Sequence, residues 1–127
     1  MRVELNPHFV SVTNQRNGNS LGCRIRVAAD AESRTVGLLN TPGLDVGEGL
    51  WIFPCRSIHM QGMRFPIEAL WLDPDCVVIG LDEALWPGDG VRRVDGALSV
   101  LELPVGTVSR TDTELGDRLL IQQVSGS

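Results

Sequence analysis

Apolar runs too short for an ordinary globular helix recur along this chain, each closed by glycine, proline, asparagine or aspartate. Runs of that kind read as strands. The clearest is Leu21 to Val27, where Leu21, Cys23, Ile25 and Val27 alternate with Gly22, Arg24 and Arg26. A period of two makes a half-buried strand and assigns Cys23 to the core. Before it, Phe9 to Thr13 reads as a strand, and Gln15 to Ser20 carries an Asn-Gly pair suited to a hairpin turn. Further strands are expected at Gly49–Phe53, Ile58–Met63, Ile67–Leu72, Cys76–Leu81, Ala97–Leu103 and Arg118–Val124. Pro87 to Asp95 reads as a polar loop.

One helix stands out. Asp30 can accept from the free N–H groups of a first turn, and Glu32 suits the positive end of the helix dipole. The helix should run from Ala31 to Leu39, burying Val36 and Leu39, until Asn40-Thr41-Pro42-Gly43 stops it. Ser109 to Leu115 has room for a single helical turn. These readings add up to a mainly β fold: a small single-domain β-barrel of about eight short strands with one α-helix near residues 31–39. The 127 residues match the size of one domain, with 125–127 as a loose tail.

Charge narrows the function. The net charge is −5, and all 11 cations are arginine. A chain without lysine has no Schiff-base or P-loop lysine. The acidic balance argues against nucleic acid as a partner; the only adjacent cations are Arg92 and Arg93. No apolar run reaches the length of a membrane span. Met1 to Val10 carries Glu4 and no long apolar core, so it does not read as a signal peptide, and a cytoplasmic location is expected. Cys23, Cys55 and Cys76 are widely spaced and odd in number, which suits free thiols in a reducing compartment.

The chemistry concentrates between Pro54 and Asp73, in PCRSIHMQGMRFPIEALWLD. Cys55 and His59 are the minimum for a thiolate–imidazole pair. On a straight strand they would stand about 13 Å apart, so a pair requires a turn through Arg56-Ser57. Cys55, His59 and Met63 also offer sulfur, nitrogen and sulfur at intervals of four, as copper loops do, but a blue-copper site needs a second histidine and only His8 remains. If Ile58–Met63 and Ile67–Leu72 form a hairpin through Arg64-Phe65-Pro66, His59 faces Trp71 and Gly62 faces Glu68. That register puts His59 and Glu68 on opposite faces. Glu68 and Glu102 each lie inside an apolar run. Such a carboxylate is either exposed or paired, with Arg64 and Arg56 the nearest cations in sequence. Trp86, beside Pro87-Gly88, is the best candidate for an exposed binding aromatic.

Taken in order, GLLNTPGLDVGEGLWIFPCRSIHMQGMRFPIEALWLDPD (Gly37 to Asp75), SVLELPVG (Ser99 to Gly106) and LGDRL (Leu115 to Leu119) resemble a bacterial family, domain-of-unknown-function family 192. The resemblance runs over about 21–124. It implies a compact β-barrel with one helix, and no agreed catalytic mechanism. Many members of that family carry an export leader, and some lie beside pilus or secretion genes, which hints at a partner in such a system. His59-Met60-Gln61-Gly62-Met63 stands where many members have Trp-Met-Lys-Asn-Thr, and Glu68 where many have Asp.

The favoured expectation is a non-catalytic ligand- or protein-binding accessory domain. Its binding residues would be Arg56, His59, Arg64 and Trp86, in loops near Arg56–His59 and Trp86–Arg93. The first alternative is a hydrolase or transferase using Cys55 and His59, with Glu68 or Glu102. The second is a metal-binding domain using Cys55, His59 and Met63. No cofactor is implied.

Overall fold

The computed structural model describes residues 8–124. The expected tail at 125–127 and most of the N-terminal stretch read for a leader lie outside the described residues. Nine strands and two short helices follow in the order β1 (Phe9–Asn14), β2 (Ser20–Ala28), α1 (Ala31–Val36), β3 (Glu48–Ile52), β4 (Ser57–His59), β5 (Ile67–Leu72), β6 (Val78–Leu85), β7 (Val91–Arg93), β8 (Ser99–Leu103), α2 (Thr107–Thr111) and β9 (Leu119–Gln123).

Seven strands form one sheet in the order β6-β5-β8-β3-β2-β1-β9, and β4 pairs with β7 in a separate ribbon. The large sheet curls into a half-barrel. Its outer strands approach at one end, where Val77 bridges to Arg118 and the Val78 N–H donates to Asp117 O at 2.8 Å. β1 and β2 form the hairpin expected from Asn17-Gly18. β2 and β3 run parallel, so the chain between them must cross over, and α1 sits in that crossover.

Two apolar layers result, one on each face of the sheet. Val12, Leu21, Ile25, Leu70, Leu101 and Leu103 fill the inside of the curl. Leu50, Ile52, Ala69, Trp71 and Val100 face outward, where Leu38, Ile58 and Met60 cover them. β5 and β8 feed both layers by alternation, which is why every residue in them is buried. Trp71 is wholly buried against Gly80. A Cβ at Gly80 would stand 3.0 Å from Trp71 Cδ1, so any larger residue there presses on the ring.

Four local expectations are corrected. Cys23 is exposed rather than in the core. Val10 pairs with Ile25 while Val12 pairs with Gly22, so a bulge at Cys23-Arg24 breaks the alternation. Both bulge residues donate their N–H to Gly47 O, at 3.1 and 2.9 Å. The helix ends at Val36, with Gly37 as its cap, and the buried residue after it is Leu38, not Val36 or Leu39. Asp30 does cap α1, accepting from the Ser33 N–H at 2.7 Å. Ile58–Met63 does not pair with Ile67–Leu72: His59 lies opposite Val91, and Trp71 opposite Gly80 and Val100. The Met63 N–H instead turns back onto Met60 O at 3.2 Å, with Gly62 at φ +83°. The polar stretch Pro87–Asp95 contains β7, the partner of β4.

Candidate functional site

Cys55 follows the cis Phe53–Pro54 peptide as the chain leaves β3. Its N–H donates to Leu98 O at 2.7 Å, and the Val94 N–H donates to Arg56 O at 3.1 Å. These bonds lay the Cys55–His59 segment across the outer face of the sheet, with β7 beside it. α1 packs alongside on the crossover. Two hollows open between α1 and this segment and a third beside Ala97 and Leu98, and Cys55 lines all three.

The first hollow, of about 260 Å³, is lined by Arg34, Cys55, His59, Met63 and Glu102 among apolar neighbours that include Leu38 and Ile58. The second, of about 430 Å³, gathers Arg34, Arg56 and Arg93 around Cys55 and Ser57. The two share Arg34, Thr35, Ile52, Cys55 and Ser57, so they form one groove. No carboxylate lines the three-arginine end. Arg93 has Asp95 at 3.0 Å; among the described residues Arg56 has no ion pair.

Glu102 is 5 % exposed. It follows Leu101 on β8, so alternation turns it to the outer layer. Burial alone pushes its pKa up to about 7. Among the described residues, no hydrogen bond or ion pair reaches its carboxyl group. Arg34 is held on α1, where its Nη1 donates to Pro54 O at 3.3 Å, while its buried Nε has no partner. The Cys55 thiol donates to Ser57 O at 3.2 Å. Burial raises its pKa, which keeps it in the weakly nucleophilic thiol form.

Glu68 stands elsewhere. It pairs with Leu103 across β5 and β8, while Glu102 pairs with Ala69. The two glutamates therefore project from opposite faces and do not form an acid–base pair. Glu68 Oε2 accepts from the Gly106 N–H at 2.7 Å, and Oε1 from the Val108 N–H at 2.8 Å. The carboxylate ties down the first turn of α2. The arginine partner expected for it is replaced by backbone donors. Burial still raises its pKa, against the lowering effect of those donors.

Arg64 is exposed in the turn between β4 and β5. Trp86 is 58 % exposed at the turn after β6, its N–H donating to Asp89 Oδ2 at 2.8 Å. Cys55, His59 and Met63 share a hollow, yet the described residues hold no group of three His, Cys, Asp or Glu close enough to share a metal ion. Arg34 was missed in the sequence because its setting reads as an ordinary basic last turn of a helix. The signal available was the crossover: a helix between parallel strands must fold back over the sheet. Among the described residues, no helix is long and apolar enough to cross a membrane.

A protein of the archaeon Thermococcus sibiricus, named UPF0127 protein, is 29% identical over 111 residues, which is 84% of this chain and 71% of the relative. A crystal structure from Sinorhizobium meliloti 1021, of a protein suggested to be a transcription regulator, superposes with a TM-score of 0.79 at 21% identity, covering 95% of this chain and 98% of the other. A second, of a protein of unknown function from Novosphingobium aromaticivorans, gives 0.75 at 22% identity, over 87% and 82%. At such identities these two likenesses show the fold alone. The pattern of a family described as Uncharacterized ACR matches residues 12–121, and the chain belongs to that family, domain-of-unknown-function family 192.

Proposed function

We propose that this protein is a non-catalytic binding module that holds a small carboxylate ligand in the groove between α1 and the Cys55–His59 segment. One observation carries the reading: a chain of net charge −5 gathers Arg34, Arg56 and Arg93 around a single hollow that no carboxylate lines. Guanidinium forks match carboxylates in two-point geometry. Small-molecule sites measure roughly 300–1,000 Å³, which suits the groove to a small ligand. The β4–β7 ribbon supports the reading further, because it sets the Arg56–His59 loop beside Val91–Arg93.

Titration with 4-methylpentanoate, followed by NMR, tests it. Saturable shifts are expected at Arg34, Cys55 and His59, and Arg34→Gln should weaken binding roughly tenfold or more, the effect of one lost charge-assisted bond. Equal binding by the variant, or saturation by no small carboxylate of this size, would refute it.

A hydrolase or transferase reading also has one observation behind it, since Cys55, His59 and Glu102 line one hollow. The raised thiol pKa works against it. In a Cys23→Ser, Cys76→Ser background, iodoacetamide should modify Cys55 only in alkaline solution. Rapid labelling at neutral pH would favour the enzyme.

A further inference from the structure

Glu102 and Arg34 line the same hollow, carry opposite charge, and make no ion pair within 4.0 Å. Glu102 is 5 % exposed and has no described donor. Arg34 keeps a buried Nε without a partner. Two opposite charges in a secluded place ordinarily neutralise each other, because each pays for its lost hydration. Here they stand apart, one on a strand of the sheet and the other on the crossover helix, with Cys55 lining the same hollow. The wall around them is apolar, from Leu38, Leu39, Ile52, Ile58 and Met63.

We infer that the ligand is a free α-amino acid with an apolar side chain, its carboxylate on Arg34, its ammonium on Glu102 and its side chain against the apolar wall. The inference rests on the carboxylate-binding reading and adds the second charge and the side-chain class. A molecule carrying both groups offers each of the two charges that line the hollow its complement at once. A plain carboxylate offers Glu102 no cation, and a plain amine offers Arg34 no anion. The hollow of about 260 Å³ admits a single residue rather than a peptide. The ligand binds without any bond being made or broken.

Calorimetry on the full chain at pH 7.5 tests this. The probes are L-leucine, L-isoleucine, L-methionine and L-valine, with 4-methylpentanoate and 3-methylbutylamine as the forms of leucine lacking amine or carboxylate. At least one amino acid should bind, with leucine exceeding both truncated forms by roughly tenfold or more, as expected for a lost charge-assisted bond. Glu102→Gln should erase the preference for leucine over 4-methylpentanoate, and thermal unfolding of the variant checks that it is folded. If 4-methylpentanoate binds as tightly as every amino acid, and Glu102→Gln leaves the ratio unchanged, the amino-acid inference fails and the carboxylate reading stands. If neither class binds, both fall.

Discussion

The Asn14 side-chain amide donates to Asp117 Oδ2 at 2.8 Å, across 103 residues of chain. Asn14 is wholly buried. Arg16 Nε reaches Asp117 Oδ1 at 2.7 Å, and the Glu114 N–H reaches Oδ2 at 2.8 Å. The β1–β2 hairpin is thereby fastened to the loop that enters β9. Asp117→Ala leaves the Asn14 amide buried without this acceptor. The expected loss is about 1–3 kcal/mol, read by urea unfolding.

The same carboxylate adds an acid-labile part to the stability. The Arg16 guanidinium, aided by the Asn14 amide, holds Asp117 down at about 2, against an ordinary 3.8. A group whose folded pKa lies below its unfolded one stabilises the fold above the unfolded value. That contribution should be complete above pH 3.8 and fade as pH falls through 2. Asp117→Asn should abolish this part of the acid limb in unfolding curves taken from pH 5 downward.

Glu102 acts with the opposite sign. Its carboxyl is raised from 4.5 to about 7, so the folded protein binds the extra proton between those values. Stability should fall as pH rises from 4.5 to about 7, by at most about 3–4 kcal/mol at roughly 1.4 kcal/mol per pH unit. Glu68, also raised, bends the curve the same way. Glu102→Gln should flatten most of this decline and raise the unfolding midpoint at neutral pH. An unchanged slope from pH 4 to 8 would contradict the assignment.

Glu68→Ala should loosen α2. The Gly106 and Val108 N–H groups lose their acceptor, at a cost of about 1–3 kcal/mol. Faster amide exchange at Val108 would mark the loss locally.

Gly80→Ala tests the packing around Trp71. The new methyl would press on the indole at 3.0–3.2 Å. Overpacking of this kind costs about 1–3 kcal/mol, visible in thermal unfolding, whereas an unaffected midpoint would show that the ring can shift.

Much of the fold was legible from local pattern. β3, β5 and β8 are apolar runs bounded by turn residues, and Asn17-Gly18 announced the first hairpin. The β4–β7 ribbon escaped notice because three-residue strands show no period and their partner lies far along the chain. Cys23 was misassigned because a bulge shifts the alternation, and bulges leave no mark when the donors are backbone N–H groups. Glu68 was hard to place for a like reason: its partners are main-chain donors about 40 residues away, which carry no residue identity. At the groove, Cys55, His59 and Glu102 stood out as reactive types in apolar surroundings, while Arg34 resembled any helix-end cation.

The two apolar layers have a consequence for how the groove can move. The inner one is sealed by hydrogen-bonded ribbons, whereas the outer one is roofed by a short helix, a turn and a three-residue ribbon. A roof of such short elements should open more readily than the seven-stranded floor beneath it. Deuterium uptake should be quick across Ser57 to Met63, slow at Leu70 and Leu101, and quieter in the roof alone once the groove is occupied.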